Sequence, residues 1–292
     1  MSERAPAQGR APLGLIAGGG QLPLEILDDL KARSEPVVTI AIKGEADPAF
    51  VRQADHELGW GQIGHLFKVL HSAGCDRVIL IGGVTQRPDF TSILGDLGTM
   101  RRLPAILRAM VGGDDSLLTR VIRIFEAENL RVVGVADVAA SLLATPGLMA
   151  GRPLDGDMET DMRLAWQAVR RLGELDIGQA AVSVGGRVIA LEGAEGTDAM
   201  LERCAGLRAN RRVRAKGMAG VLVKAAKPGQ DLRVDLPTIG PRTIALAREA
   251  GLTGIAVEVG RSLIADRRAT LDAVAANGLF LYGLTRPDDQ EI

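Results

Sequence analysis

Aromatic residues and cysteines are scarce in this sequence of 292 residues: 3% are Phe, Trp or Tyr, and there are two cysteines. So few aromatic side chains leave little for stacking on bases, and a formal net charge of −1 provides no basic surface for a nucleic-acid backbone. We therefore expect no polynucleotide partner. Cys75 and Cys204 form no disulfide framework and no Cys-x-x-Cys metal pattern, which is typical of a reducing cytoplasm, and we expect both to be buried.

Long apolar runs are also missing. No stretch of about 18 apolar residues occurs, so we expect no membrane-spanning helix. The first twelve residues lack the apolar segment of a signal peptide and are expected to be disordered. By contrast, 47% of all residues are hydrophobic, which is enough for a substantial core, and the length predicts about two domains.

Short apolar runs alternate with helical patterns along the N-terminal half, which predicts a parallel sheet with right-handed crossovers. In the C-terminal half, Gly185-Gly186 lies between two strand patterns and predicts a hairpin, so the second sheet is expected to be mixed. The predicted fold class is α/β, with the substrate in a cleft between two domains. The predicted divisions are a disordered segment over 1–12, a Rossmann-like domain over 13–142, a Pro- and Gly-rich linker over 143–157, and a catalytic α/β domain over 158–292.

The densest group of different polar side chains follows a short strand pattern at 220–223. Within fifteen residues come Lys224, Lys227, Gln230, Asp231, Arg233, Asp235 and Thr238. Proline and glycine on either side favour a shaped loop over a helix. Cations that neutralise a diphosphate, beside acids that hold a divalent metal or polarise a water, are the groups that phosphoryl transfer needs. A solvated loop between a strand and a helix is the alternative interpretation.

A second acidic group lies where the predicted hairpin leads into a helix. Glu192, Glu195 and Asp198 surround Thr197 there, an arrangement that suits Mg²⁺ or a ribose hydroxyl. Thr197 as a helix N-cap, with acids in the first turn, accounts for part of this pattern without any function.

Two glycine-rich turns follow strands of the N-terminal half. Gly18-Gly19-Gly20 lies between a strand and a helix, where backbone N–H groups can cradle a phosphate, and a simple tight turn is the alternative. Gly82-Gly83 follows another strand, and Arg87 beyond it is a candidate phosphate contact or a solvent-exposed arginine. A nicotinamide oxidoreductase is disfavoured because position 23 is proline, where the dinucleotide fingerprint needs glycine, and the second strand lacks the ribose-binding acid.

Three motifs carry a family resemblance: Leu-Gly-Leu-Ile-Ala-Gly-Gly-Gly-Gln-Leu-Pro at 13–23, Glu-Gly-Thr-Asp-Ala-Met-Leu at 195–201, and Lys-Pro-Gly-Gln-Asp-Leu-Arg-Val-Asp-Leu-Pro-Thr-Ile-Gly at 227–240. Together they resemble the UDP-2,3-diacylglucosamine pyrophosphatase family of lipid A biosynthesis, the LpxI type. The resemblance implies Mg²⁺-dependent hydrolysis of UDP-2,3-diacylglucosamine to UMP and 2,3-diacylglucosamine 1-phosphate. It also implies a cytoplasmic protein that meets its lipid-linked nucleotide-sugar substrate at the inner membrane surface, and it leaves a homodimer open.

The resemblance gives roles to the polar residues. By its match to the family segment, Asp235 is the first choice for the essential acid, as metal ligand or water-orienting base, and Asp231 is the second. The predicted catalytic residues are Asp235, Asp231, Lys224 and Lys227, and the predicted Mg²⁺ ligands are Asp235, Asp231, Glu192 and Glu195. The predicted substrate contacts are Gly18, Gly19, Gly20, Gln21, Gly82, Gly83, Arg87, Thr197, Gln230, Arg233 and Thr238. A nucleotide-sugar sensor without turnover is the alternative, disfavoured because carboxylates repel a diphosphate.

Overall fold

The computed structural model describes residues 10–84 and 114–286, apart from the side chains of 114–117. The chain divides into two compact units, Met1–Ala139 and Ala140–Ile292. Arg87 and residues 1–9 of the predicted N-terminal segment lie outside the described residues. No helix in the described part of the chain is long and apolar enough to span a bilayer.

The first unit contains a five-stranded sheet in which every pair of neighbouring strands is parallel, in the order β3-β2-β1-β4-β5. Its described elements are β1 (Leu13–Ala17), α1 (Leu22–Ala32), β2 (Val37–Ile42), α2 (Pro48–Val51), β3 (His56–Leu58), a 3₁₀ turn (Trp60–Gln62), α3 (Ile63–Ser72), β4 (Arg77–Ile81), α4 (Asp114–Ala127), β5 (Arg131–Val132) and α5 (Val135–Val138). The strand order is that of the Rossmann fold, so the predicted Rossmann-like domain is confirmed.

Strand β1 lies at the centre of this sheet because its sequence allows burial on both faces. All five residues of Leu-Gly-Leu-Ile-Ala are buried, as a central parallel strand requires. Helix α1 follows after a short turn, with Pro23 in its first turn, where the missing N–H costs no hydrogen bond. The β1–α1 unit therefore follows the strand, glycine turn and helix that the sequence predicts.

The second unit contains a six-stranded mixed sheet in the order β6-β13-β11-β9-β7-β8, and a small parallel pair, β10-β12. Its elements are a 3₁₀ turn (Ala140–Leu142), β6 (Gly147–Gly151), α6 (Gly156–Glu174), β7 (Ala180–Ser183), β8 (Val188–Leu191), α7 (Gly196–Ala209), β9 (Val221–Lys224), β10 (Thr238–Ile239), α8 (Pro241–Glu249), β11 (Gly254–Glu258), β12 (Leu263–Ile264), α9 (Arg267–Ala276) and β13 (Phe280–Leu284). Strands β9, β11 and β13 are parallel, β6 and β7 run antiparallel to them, and β8 pairs antiparallel with β7. The predicted hairpin and mixed sheet are confirmed.

Two hydrophobic clusters cover opposite faces of this sheet. Alternate strand residues such as Leu222 and Val257 pack with α7, α8 and α9, whereas their neighbours Val223 and Ala256 pack with α6. Buried Cys204 belongs to the first cluster, as expected, and burial raises the pKa of its thiol to about 11. The sheet thus has an α6 face and an α7–α9 face.

The segment predicted as a linker over 143–157 is part of the second unit. Gly147–Gly151 forms strand β6, which pairs antiparallel with β13, and α6 begins at Gly156. Gly151 serves this packing, because a Cβ there would lie 1.9 Å from the carbonyl oxygen of Leu279. This glycine therefore marks a close strand contact, and the linker prediction is corrected.

The glycine turns after β1 and β4 fasten these two strands together. The backbone N–H of Gly19 donates to the carbonyl oxygen of Gly83 (2.7 Å), and that of Gly83 donates back (2.9 Å). A Cβ at Gly18 would lie 2.4 Å from the oxygen of Gly83, and one at Gly82, where φ is +96°, would lie 2.7 Å from the oxygen of Gly19. Only glycine permits this approach of two backbones.

We predict that Gly82→Ala lowers the urea midpoint of the first unit, with a loss of about 1–3 kcal/mol in the free energy of unfolding, because it adds both backbone strain and a clash. Gly83→Ala is the matched control, since a Cβ there meets no atom of the described residues within 4 Å. Urea unfolding followed by circular dichroism compares the two variants. Equal midpoints for both would contradict the close-approach explanation.

Candidate functional site

The candidate site lies at the edge of the second sheet where parallel strands β9 and β11 end. We call it the carboxyl edge. Open α/β sheets bind their ligands beyond the carboxyl ends of parallel strands. Lys224 ends β9 opposite Val257, and Glu258 ends β11 opposite Leu284. Because successive side chains alternate, Lys224 lies on the α7–α9 face and Glu258 on the α6 face.

Lys224 is buried and makes two hydrogen bonds. Its Nζ donates to Oγ1 of Thr197 (2.9 Å) and to the carbonyl oxygen of Thr238 (3.2 Å). Thr197 Oγ1 donates in turn to Oε1 of Glu192 (2.6 Å), and the other oxygen of Glu192 accepts the backbone N–H of Gln179 (3.0 Å). A chain of hydrogen bonds therefore joins β9, the first turn of α7, β10 and the end of β8.

Two opposing electrostatic effects act on the pKa of Lys224. Burial lowers the pKa of its ammonium group, and the carboxylates of Glu192, Asp198 and Asp235 oppose that effect. Asp235 is therefore close enough to this cation to influence its charge. A desolvated cation that is already held in place stabilises developing negative charge far better than one in water.

The loop after β9, residues 225–237, is held by one glutamine. Gln230 Oε1 accepts the backbone N–H of Lys227 (2.8 Å), and its Nε2 donates to the carboxylate of Asp235. Lys227 Nζ lies 2.6 Å from Oδ1 of Asp176, just after the end of α6. Gln230 thus contacts both the start and the end of the loop, so Lys227 and Asp235 both lie next to this one side chain.

Asp231 and Arg233 are bound to each other. Arg233 Nε and Nη2 donate to the two carboxylate oxygens of Asp231, at 2.9 and 2.6 Å. The hydrogen bonds from Arg233 lower the pKa of the Asp231 carboxyl group. Asp231 is therefore an ionised group that supports the loop and the guanidinium of Arg233.

Glu258 is a site residue that the sequence analysis missed. It is 1% exposed, and its Oε2 accepts the backbone N–H of Ala226 (2.9 Å) at the start of the loop. Its Oε1 is paired with Nε of Arg286 and lies 3.9 Å from Nε of Arg261. The available signal was an acid as the last residue of an otherwise apolar strand pattern, Gly-Ile-Ala-Val-Glu, next to the strand that carries Lys224.

The four predicted metal ligands are not brought together as a protein-only site. Glu192 uses both oxygens within the fold, and Glu195 pairs with Arg203 at 2.7 Å. In the described residues, no group of three or more His, Cys, Asp or Glu side chains could hold a metal ion. Mg²⁺ is commonly held by one or two carboxylates together with substrate phosphates, and a site of that kind needs no cluster of three protein ligands.

The predicted substrate contacts in the first unit offer fewer backbone N–H donors than a phosphate-binding turn is expected to offer. The backbone N–H groups of Gly18, Gly19 and Gly83 already donate to carbonyl oxygens within the unit. At Gly20, where φ is +94°, a Cβ would meet no atom of the described residues within 4 Å. Gln21 is the N-cap of α1, and its side chain makes no capping hydrogen bond.

Comparisons with known proteins cover both units. Residues 12–142 match the LpxI N-terminal domain, and residues 145–282 match the LpxI C-terminal domain. A relative from Caulobacter vibrioides, named UDP-2,3-diacylglucosamine pyrophosphatase LpxI, is 42% identical over 279 residues, which covers 96% of this chain and 98% of that protein. The family resemblance predicted from the three motifs is confirmed.

We predict that Thr197→Val lowers the free energy of unfolding of the second unit by about 1–3 kcal/mol, because it leaves buried Lys224 and Glu192 without their shared hydroxyl. Thr197→Ser is the matched control, since it keeps the hydroxyl and removes one methyl group. Urea unfolding of both variants gives the comparison. If Thr197→Val is as stable as Thr197→Ser, the hydroxyl does not join the two charges.

Proposed function

The chain belongs to the LpxI family, and we propose that it hydrolyses the diphosphate of UDP-2,3-diacylglucosamine to UMP and 2,3-diacylglucosamine 1-phosphate. Support comes from the name of the Caulobacter vibrioides relative and from its 42% identity along almost the whole chain. The structural observation that carries the proposal is the carboxyl edge. There, the buried ammonium group of Lys224 ends β9, and the carboxylate of Asp235, which opposes the lowering of the pKa of that lysine, ends the loop whose start carries Lys227.

In this proposal Asp235 is the essential acid. Hydrolysis forms a bond from a water oxygen to one phosphorus and breaks the bond from that phosphorus to the bridging oxygen. Asp235 orients the water and accepts its proton, and Gln230 holds the carboxylate through its Nε2 hydrogen bond. Asp235 has this role rather than Asp231, because Asp231 already has both oxygens on the guanidinium of Arg233.

The cations around the loop offset the charge of the two phosphates. Lys224 is a fixed, desolvated cation on one face of the sheet, and Lys227 lies on the other, next to the end of α6. Arg233 presents a guanidinium that Asp231 orients. Thr238 and Gln230 orient substrate oxygens.

We further propose that the reaction requires Mg²⁺, with Asp235 as the protein ligand that fits best. When bound, the ion neutralises phosphate charge and polarises the attacked group. Asp231, Glu192 and Glu195 are set aside as ligands, because Arg233 occupies both oxygens of Asp231, both oxygens of Glu192 accept hydrogen bonds, and Glu195 pairs with Arg203. Loss of activity in EDTA, restored by added Mg²⁺, is the expected behaviour.

We place the reaction at the cytoplasmic surface of the inner membrane, because a sugar with two acyl chains gains free energy from the bilayer, about 0.8 kcal/mol for each buried methylene. The protein then acts on a substrate whose acyl chains stay largely in the bilayer.

We predict that Asp235→Asn reduces kcat for UMP release by about 10²–10³-fold while the protein stays folded and still binds substrate. Asp272→Asn, on the exposed surface of α9, is the matched control and should keep full activity. UMP release from UDP-2,3-diacylglucosamine is followed with Mg²⁺ and with EDTA. Tight binding without turnover by the wild type would favour the sensor alternative, and an active Asp235→Asn would contradict the role of this acid.

A further inference from the structure

The segment that follows β11 borders the loop after β9 along the carboxyl edge. At the start of that loop, Oε2 of Glu258 accepts the backbone N–H of Ala226 at 2.9 Å. At the end of the loop, the carbonyl oxygen of Pro237 accepts the backbone N–H of Leu263 at 2.8 Å. The chain from Glu258 to Leu263 therefore runs from one end of the loop that carries Asp235 to the other.

Arg261 lies in the middle of this segment. The backbone N–H of Arg261 donates to the carbonyl oxygen of Glu258 at 3.4 Å, and its side-chain Nε lies 3.9 Å from Oε1 of the same residue. The side chain of Arg261 is 40% exposed, whereas that of Glu258 is 1% exposed. The guanidinium thus lies beside a buried carboxylate at the carboxyl edge and still reaches solvent.

Glu258 does not need Arg261 to balance its charge. Its Oε1 is already paired with Nε of Arg286, and its Oε2 is bound to Ala226. One carboxylate therefore lies beside two guanidinium groups, which leaves one positive charge in excess. An anion at this position would balance that charge.

Of the two guanidinium groups, that of Arg261 is the one a ligand can reach. The side chain of Arg286 is 19% exposed, and its Nη2 is buried. By contrast, neither Nη atom of Arg261 makes a hydrogen bond among the described residues, and Nε is the atom of Arg261 nearest to Glu258. Two free N–H groups in one plane form the fork that binds phosphate oxygens in a bidentate manner.

We propose that Arg261 binds a phosphate of the diphosphate substrate through its Nη atoms and that Glu258 is its positioning residue. The inference rests on the proposed function, because that function places a diphosphate at the carboxyl edge. Arg261 then acts beside Glu258, on the opposite face of the sheet from Lys224. The diphosphate is held by cations from both faces.

Kinetics give the first test. Arg261→Gln should lower kcat/KM for UDP-2,3-diacylglucosamine by about 10- to 100-fold, because hydrogen bonds to charged groups contribute on this scale. Arg261→Lys keeps the charge without the planar fork and should fall between the wild type and Arg261→Gln. Arg187→Gln is the matched control, because Arg187 is an exposed arginine in the turn between β7 and β8, at the opposite edge of the sheet, and should keep the wild-type kcat/KM.

Binding gives a second readout, which a merely structural role would not move selectively. In isothermal titration calorimetry, Arg261→Gln should weaken binding of UDP by about 10- to 100-fold and leave binding of uridine unchanged, because uridine carries no phosphate. The urea midpoint should stay close to that of the wild type, because an ion pair this exposed contributes little to folding.

The outcomes separate this contact from the proposed function. If Arg261→Gln weakens UDP binding but the wild type hydrolyses no UDP-2,3-diacylglucosamine, the proposed function fails and the phosphate contact stands. If Arg261→Gln keeps the wild-type affinity for UDP, Arg261 binds no phosphate and the inference is wrong, whether or not the wild type is active. It is equally wrong if UDP and uridine lose affinity by the same factor, if Arg187→Gln has the same effect, or if the wild type binds no UDP.

Discussion

The buried ammonium group of Lys224 is the interaction on which the candidate site depends. Its hydrogen bonds to Thr197 and to the carbonyl oxygen of Thr238 join the end of β9 to helix α7 and strand β10. Burial lowers the pKa of this lysine, and the carboxylate of Glu192 supplies the largest opposing effect. The same contacts that stabilise the second unit thus hold a cation beside the loop of Asp235.

The carboxyl edge is supported on both faces of the sheet. On the α7–α9 face, Lys224 receives its support from Thr197 and Glu192. On the α6 face, Glu258 holds the backbone of Ala226 and pairs with Arg286. The loop between these supports contains little regular secondary structure. Each of its ends is held by a buried charged side chain, and such support allows a loop to hold functional groups in a defined position.

Much of this architecture could be predicted from the sequence, because β1, α1 and the hairpin have strong local patterns. Strand β3 could not, since its three residues, His-Glu-Leu, have no apolar alternation and depend on pairing with β2. Strand β6 has the composition of a linker and becomes a strand only against β13. In the site, the polar loop could be predicted, because its polar residues follow one another closely in the sequence. The role of Glu258 was not, because it comes from the register of β11 against its neighbours.

The central claim is that substrate phosphates bind at the carboxyl edge of the second sheet. Hydrogen–deuterium exchange of Asp235→Asn, with and without UDP-2,3-diacylglucosamine, tests it most directly. The account predicts slower exchange in peptides that cover 225–239 and the first turn of α7 when the substrate is bound. Protection restricted to the glycine turns of the first unit, with no change at 225–239, would contradict it.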